Sequence, residues 1–344
     1  MPRPLQTLPK AHLHLHFTGS MRVETVRDMA AGHRMSLPDS LEQDYPPRLR
    51  ATDERGWFRF QRLYDAARHV VITEADMRRI VREAAQDDTR EGSRWLEMQV
   101  DPTSYAPYVG GITPALEIVL DEARAVSAEG GAQVAIMVAA SRIRHPLEAR
   151  TLARLAARHA GEGPGQVVGF GLSNDERRGH VEEFAPAFRI ARRAGLALMP
   201  HAGELLGPAD MSRTLASIEP DRIGHGVRAT EDAAVLAEVA RRGVALEVCP
   251  GSNLALGVYD EPQQVPLRQI VEAGIDVALG ADDPLLFDSR LVDQYALARE
   301  VLGFTDAELA ELARGSLRAS RAPEPLRAQA LADIDAWLAE PDPR

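Results

Sequence analysis

Residues 11–19 read AHLHLHFTG and place histidines at alternate positions, His12, His14 and His16, between apolar residues. Alternate side chains of an extended strand share a face, so the spacing predicts a strand whose three imidazoles can all point inward. Neutral imidazoles in such a cluster suit zinc or a similar borderline metal. A polar strand end with satisfied histidines is the alternative, and three histidines in an apolar frame favour the metal site over it.

Apolar runs like this one alternate along the chain with longer amphipathic segments. We predict strands near Ala11–His16, Trp95–Val100, Gln133–Ala139, Val167–Leu172, Ala197–His201, Ile223–His225, Ala245–Val248 and Asp276–Gly280. Helical segments are predicted at Met77–Asp88, Pro114–Ala128, Leu147–His159, Val181–Ala194, Glu231–Arg241 and Leu267–Ala273. The repeated strand–helix order predicts an α/β fold, a TIM (β/α)8 barrel, with residues 1–344 as one domain. A doubly wound open sheet is the alternative, but no Gly-x-Gly-x-x-Gly turn follows the first strand.

Two regions extend this pattern. The polar, proline-interrupted segment Asp39–Glu54 precedes Trp57, Phe58, Phe60 and Tyr64. We interpret it as a helical insertion after the first strand that either caps a pocket or packs a helix onto the barrel. From Gly303 onward the sequence is Ala-rich and predicts extra C-terminal helices.

Composition excludes several classes of protein. The 344 residues carry a formal net charge of −11, which argues against a general nucleic-acid binder. The single cysteine, Cys249, excludes an internal disulfide framework and a cysteine-based zinc cage. No run approaches ~18 apolar residues and no signal core is present, so we expect a cytoplasmic protein without a membrane partner. The sequence leaves the oligomeric state open.

A second chemical motif ends the predicted fifth strand. It reads MPHAGE at residues 199–204. His201 is a candidate metal ligand, and Glu204 would lie beside the metal without binding it. A partly desolvated carboxyl group has a raised pKa and can act as an acid. Taken alone, Glu204 would more simply be a helix N-terminal acid favoured by the helix dipole.

Two further motifs occur at later strand ends. RIGHG at residues 222–226 flanks His225 with glycines that allow close approach of a ligand. GADDP at residues 280–284 places Asp282 beside Asp283, which is costly unless a cation or partner neutralises one carboxylate. One of the two could instead cap the next helix. Together the four motifs indicate metal-assisted hydrolysis, because barrel enzymes build their sites at strand C-termini.

These motifs, in this order, resemble the adenosine deaminase family of the amidohydrolase superfamily. The matching residues run from Pro9-Lys10 through the HLHFTG stretch, HAGE and RIGHG to EVCPGSN at residues 247–253 and Asp282-Asp283-Pro284. The resemblance implies one Zn²⁺ ion per chain, held by His14, His16, His201 and Asp282, with His12 as an extra histidine. It implies that Glu204 protonates the purine ring, that His225 orients and helps deprotonate the attacking water, and that Asp283 hydrogen-bonds the five-membered ring.

The resemblance also implies a nucleoside site at Thr18, Gly19, Asn174 and Asp283, and two of these residues depart from the family pattern. Where the family has an acid that contacts the ribose 5′-hydroxyl, this chain has Thr18; a missing buried hydrogen bond costs ~1–3 kcal/mol. Relatives commonly have Gly at the position of Asn174, which can still offer its backbone N–H to the purine.

The neutral Thr18 shifts the expected substrate towards a purine nucleoside modified at its 5′ position. 6-Amino-6-deoxyfutalosine, an intermediate of bacterial menaquinone synthesis, is such a nucleoside and carries an anionic aryl group. Arg22 or the aromatic residues 57–64 are candidates to receive that group. Adenosine itself remains the alternative substrate.

Other functions are less well supported. A barrel amidohydrolase that acts on an amide, lactone or phosphoester is an alternative, and its mononuclear form stays open. Many such enzymes hold two metals with a carboxylated lysine on a middle strand, and the only lysine here, Lys10, lies before the first ligands. A non-catalytic metal-binding protein would not need Glu204, His225 and Asp283. The cysteine-ligated cytidine deaminases are excluded because their Pro-Cys-x-x-Cys signature is absent.

Overall fold

The computed structural model describes residues 2–47, 49–51 and 53–340, and within them a sheet of eight strands in the order β1 to β8. Each neighbouring pair in that order is parallel. The strands are β1 (Lys10–His16), β2 (Ser93–Val100), β3 (Gln133–Ser141), β4 (Val167–Ser173), β5 (Ala197–Ala202), β6 (Arg222–His225), β7 (Ala245–Val248) and β8 (Val277–Leu279). All eight lie within two residues of the predicted bounds.

The sheet closes between its first and last strands. Leu15 forms a parallel bridge with Asp282, just beyond β8. The His16 N–H donates to the Asp282 carbonyl and the Asp282 N–H donates to the His14 carbonyl, each at 3.0 Å. These contacts confirm the predicted α/β barrel.

Helices surround the barrel. Between β1 and β2 lie α1 (Val23–His33), α2 (Asp39–Glu42), α3 (Glu54–His69) and α4 (Glu74–Arg90). The connections from β2 to β8 contain α5 (Ala106–Val109), α6 (Ile112–Ala128), α7 (Pro146–Arg158), α8 (Val181–Arg193), α9 (Pro208–Ser217), α10 (Ala233–Arg242), α11 (Pro250–Ala255) and α12 (Leu267–Glu272). After β8 follow α13 (Pro284–Phe287), α14 (Leu291–Glu300), α15 (Asp306–Ala319) and α16 (Glu324–Ala339). The predicted insertion and C-terminal helices are therefore present, although residues 48 and 52 of the inserted segment lie outside the described part.

Strand β1 contains an irregularity that decides where its histidines point. The pairing of β1 with β2 slips by one residue between His12 and Leu15. A bulge of one residue turns the side chains beyond it to the opposite face. His12 accordingly contacts Asp88 on α4, outside the barrel, whereas His16 lines the central cavity. The prediction that all three imidazoles point inward is therefore wrong for His12.

Helix α4 illustrates how the inserted segment is held. Thr73 and Asp76 form a capping box, in which each side chain accepts the backbone N–H of the other. Buried apolar residues of α4 such as Ile80 and Val81 share one cluster with Leu96 and Met98 of β2. No helix in the described ranges has the length and apolar character needed to cross a bilayer. The cytoplasmic location stays a prediction of the sequence.

Candidate active site

Five side chains converge at the carboxyl ends of the strands. His14 and His16 come from β1, His201 from β5, His225 from β6, and Asp282 follows β8. The ligand atoms of His14, His16 and His201 all lie within 4.8 Å of one another. Asp282 Oδ1 lies 3.2 Å from His16 Nε2 and 3.7 Å from His14 Nε2. The four residues expected to bind zinc are thus brought together.

The donor set of this cluster fits a divalent cation. His201 Nε2 and His16 Nε2 face each other at 3.3 Å. At this distance either one nitrogen carries a proton and donates it to the other, or both bind the same cation. His14 Nε2 is buried without a hydrogen-bond partner among the described residues. Three imidazole nitrogens and one carboxylate match the ligand types of a catalytic zinc site.

The protonation states of His201, His225 and Asp282 are also suited to metal binding. Burial and the neighbouring His14 hold the pKa of His201 well below 6.5, and the same causes lower the pKa of His225 to about 3. Burial opposes the ionisation of Asp282, but the adjacent imidazoles of His14 and His16 hold its pKa well below 3.8. His201 and His225 are therefore neutral and Asp282 is ionised at neutral pH, as ligation requires.

A buried chain of charged groups supports His14. Its Nδ1 lies 2.8 Å from Glu247 Oε2, and Glu247 Oε1 accepts a bond from Arg222 Nε at 2.6 Å. Arg222 also donates to Glu97. Burial lowers the pKa of His14, but contacts with Asp282 and Glu247 outweigh this and raise it to about 10, so a metal ion bound by His14 must displace a proton. A carboxylate on the second nitrogen fixes the orientation of a metal-binding imidazole. The EVCPGSN motif contained Glu247, but its role was not predicted.

Glu204 lies in the turn after β5, where it can act without binding the metal. The turn is held by Glu176, whose carboxylate accepts the N–H groups of Glu204, Leu205 and Leu206. Glu204 Oε2 is 3.7 Å from His225 Nε2. Burial and the charge of Asp282 raise the pKa of Glu204 well above 4.5, so this carboxyl group holds its proton more tightly than an exposed glutamic acid does and is suited to act as an acid.

The backbone adopts left-handed conformations at three of the expected site residues. The φ angles are +64° at His225, +62° at Asp282 and +78° at Asn174. Such conformations cost of order 1–3 kcal/mol each for residues with a side chain and cluster at functional sites. A left-handed φ also explains why relatives use glycine where Asn174 stands, since asparagine tolerates this region better than most residues.

Close packing requires glycine at two places. A Cβ on Gly224 would lie 2.8 Å from Cε1 of His14. A Cβ on Gly19 would lie 1.8 Å from Oδ1 of Asp283. The Asp283 carboxyl is buried, and its Oδ1 has no hydrogen-bond partner among the described residues. Burial and the adjacent Asp282 raise its pKa well above 3.8, so a protonated Asp283 is available to donate to a ligand.

Thr18 lies in the same cavity but is already hydrogen-bonded. Its Oγ1 is 2.5 Å from the hydroxyl of Tyr105. Tyr105 was not predicted, because nothing in its local sequence connects it to the first strand. A pair of neutral hydroxyls thus occupies the place where the family pattern has a carboxylate.

The cluster opens into a cavity at the carboxyl ends of the strands. One face of α3 forms a wall of this cavity, with Trp57, Phe60, Gln61, Tyr64 and Arg68. The inserted segment therefore caps a pocket, and Phe60 also stacks on Phe287 with the ring centroids 5.8 Å apart. Arg22 does not line this cavity; its guanidinium pairs with Asp87, with Nη2 2.8 Å from Oδ1.

Comparison with known proteins agrees with this geometry. Residues 9–337 match the family described as adenosine deaminase. The chain belongs to the adenosine deaminase family. Membership groups it with hydrolytic deaminases of amidohydrolase fold that act on adenine-type substrates.

Individual relatives cover nearly the whole chain. A Streptomyces coelicolor protein, provisionally named adenosine/adenine deaminase, is 59% identical over 98% of both chains. A solved adenine deaminase from Arthrobacter aurescens is 27% identical with a TM-score of 0.88, over 96% of this chain and 99% of its own. An amidohydrolase structure from Burkholderia ambifaria with bound Zn is 21% identical with a TM-score of 0.85, over 97% and 92%, and shows the shared fold.

Proposed function

We propose that this chain is a zinc-dependent hydrolase that removes the 6-amino group from the adenine of a 5′-modified adenosine. A substrate such as 6-amino-6-deoxyfutalosine, from menaquinone synthesis, has the required chemistry. The observation that carries the proposal is the buried hydroxyl pair of Thr18 and Tyr105, which offers no carboxylate to a free 5′-hydroxyl.

His14, His16, His201 and Asp282 would hold the ion. A bound zinc ion lowers the pKa of water towards ~7 and so supplies a hydroxide nucleophile near neutral pH. The known structure with bound Zn shares this fold, and the donor set of the cluster is the type that zinc prefers.

Glu204 and His225 divide the proton transfers. The carboxyl of Glu204 is protonated because its pKa is raised, and it donates this proton to the purine nitrogen beside the reacting carbon, which becomes more electrophilic. His225 is neutral because its pKa is about 3, so its Nε2 can accept a hydrogen bond from the attacking water and orient it. The proton that the attacking water loses would pass to the amino group, and ammonia would leave as the bond between its nitrogen and the ring carbon breaks.

Three residues would hold the purine. Asp283, protonated in its buried position, donates a hydrogen bond to a nitrogen of the five-membered ring. Gly19 has no side chain that would clash with this carboxyl group. The backbone N–H of Asn174 would donate a hydrogen bond to another edge of the base. These contacts orient the ring for attack and are shared by every adenine-type substrate.

The aromatic wall of α3 favours a substrate larger than adenine or adenosine. Arg68 lies at that wall, with its Nη1 3.1 Å from Ser104 Oγ and its guanidinium 5.8 Å from the ring centre of Tyr64. An acidic aryl group attached at the 5′ position would extend from Thr18 towards this cation. Adenine alone would leave that part of the cavity unfilled.

Adenosine is the second candidate, because Asp101 also lines the cavity and could accept a ribose hydroxyl. The deciding experiment is ammonia release by the zinc-loaded protein, measured as kcat/KM for 6-amino-6-deoxyfutalosine, 5′-methylthioadenosine, adenosine and adenine. We expect kcat/KM for the aryl-substituted nucleoside to exceed that for adenosine at least about tenfold. One hydrogen bond between a charged group of the protein and the substrate is enough for a difference of this size. A preference for adenosine or adenine would overturn the assignment of the substrate and leave the deaminase chemistry standing.

A further inference from the structure

We infer that the buried pair of His12 and Asp88 is a positioning device that holds Asp282 in its ligand geometry from outside the barrel. The inference rests on the proposed metal site. It assigns a role to the histidine that the ligand set leaves unused.

The contacts of His12 favour one tautomer. Nε2 lies 3.0 Å from the backbone N–H of Ala281, which it can accept, and 3.1 Å from the carbonyl oxygen of His14. Nδ1 faces only the two carboxylate oxygens of Asp88, at 3.0 and 3.2 Å, so the tautomer with its proton on Nδ1 bonds both Asp88 and Ala281. His12 and Asp88 are essentially buried, at 1% and 0% exposure, so water does not compete for these hydrogen bonds.

The N–H of Ala281 needs this acceptor because the regular hydrogen bonds between β8 and its neighbouring strands have ended. Strand β8 stops at Leu279, and Ala281 lies between the strand and the left-handed Asp282. The imidazole of His12 supplies the acceptor that a neighbouring strand would otherwise offer. An unpaired buried N–H is destabilising, and it would add to the backbone strain of the left-handed Asp282.

The junction between β1 and the segment after β8 also holds the backbone of Asp282 itself. Its N–H donates to the carbonyl of His14, and its carbonyl accepts from His16, both at 3.0 Å. A strained backbone persists only where its surroundings determine it fully. Asp88, His12 and the β1 backbone together fix the segment from Ala281 to Asp282, and thereby the direction of the Asp282 carboxylate.

Strand β1 offers a matched control for a purely structural effect. Ser316 on α15 accepts the N–H of Ala11 at 2.9 Å, and it is as buried as His12. This bond also joins a buried side chain to a backbone N–H of the barrel, here on β1, but it does not involve Ala281 or Asp282. Its loss should lower stability without changing the metal site.

The test measures zinc affinity by chelator competition, together with the melting temperature of the metal-free protein, for wild type, His12→Phe, His12→Gln, Asp88→Ala and Ser316→Ala. Loss of an outer partner of a metal site typically costs 10–100-fold in affinity. We expect His12→Phe to bind zinc at least about tenfold more weakly, Asp88→Ala to follow in the same direction, and His12→Gln, whose amide oxygen can accept the Ala281 N–H, to recover most of the affinity. Ser316→Ala should melt earlier and bind zinc as wild type does.

The outcomes separate this inference from the proposed function. Wild-type affinity in His12→Phe, or equal losses of affinity in His12→Phe and Ser316→Ala, would overturn the positioning role. If His12→Phe does not fold, the same comparison is made between Asp88→Ala and Ser316→Ala. A wild-type protein that binds no zinc would instead refute the metal site itself.

Discussion

The hydroxyl of Thr18 lies 2.5 Å from that of Tyr105, with both side chains only 2% exposed. Two neutral groups satisfy each other at the position where the family pattern has an acid. Because neither is an anion, the pair gives a free 5′-hydroxyl no strong acceptor. Substrate choice in this chain should therefore depend on residue 18.

Restoring an acid at this position should shift the preference towards adenosine. In Thr18→Asp the Tyr105 hydroxyl can donate to the new carboxylate, which can then accept the ribose hydroxyl. A hydrogen bond to a charged group contributes about 1.5–3 kcal/mol, so we expect the ratio of kcat/KM for adenosine to that for the 5′-aryl nucleoside to rise at least about tenfold. Thr18→Val, which keeps the shape and removes the hydroxyl, should leave the ratio nearly unchanged. Equal ratios in all three proteins would show that residue 18 does not select the substrate.

Arg68 should matter only for substrates that carry an anionic 5′ group. Arg68→Met keeps the length of the side chain beside Tyr64 and removes the charge. We expect kcat/KM for the carboxylated nucleoside to fall by about 10–100-fold, as for loss of a charge-assisted hydrogen bond, with little change for adenosine. Arg22→Met is the matched control, because Arg22 pairs with Asp87 away from the cavity. A parallel loss with both substrates would mean that Arg68 only supports the fold of α3.

The strand ends were predictable from sequence because parallel strands of a barrel bring their carboxyl ends together. This rule was enough to associate the histidines of the first strand with His201 and the Asp282-Asp283 pair, and the family resemblance then selected His14 and Asp282 as ligands. It could not place His12, since the one-residue slip in β1 depends on how that strand pairs with β2, and a pattern with period two contains no sign of it.

The supporting residues were harder to predict for a different reason. Glu247 and Glu176 are acids in otherwise unremarkable positions, and their roles arise only from contacts with His14 and with the Glu204 turn. Tyr105 reaches Thr18 from 87 residues away. Periodicity and motif spacing describe neighbours along one strand or turn, so such long-range pairs require the folded chain.

Glu204→Gln should separate metal binding from catalysis. The amide keeps the size of the side chain but has no acidic proton to give the purine. Loss of a general acid typically costs 10²–10⁴-fold, so we expect a fall in kcat of about that size. Zinc content and affinity should stay near wild type, because Glu204 is not among the proposed ligands. Loss of zinc in this variant would make Glu204 a ligand and contradict the proposed roles.

Lys10 should make stability rise with pH above neutrality. Burial lowers the pKa of Lys10 from 10.5 to about 7, and the nearby Glu91 and Asp88 oppose this only in part. Its Nζ donates to the backbone carbonyls of Leu5 and Glu91. Between these two pKa values the unfolded chain holds a proton that the folded chain has released. The penalty of burying the cation is therefore complete below the folded pKa and disappears as the pH rises towards 10.5.

The comparison with Lys10→Met isolates this effect, since the other titrating groups are common to both proteins. The free energy of unfolding of wild type minus that of the variant should increase with pH, by at most about 1.4 kcal/mol per unit. Urea denaturation at about pH 7, 8 and 9 measures it. The lost bonds to Leu5 and Glu91 shift the whole difference by a constant and do not change its slope. A difference that is flat across this range would mean that Lys10 stays charged in the folded barrel, held by Glu91 and Asp88 more strongly than its burial allows.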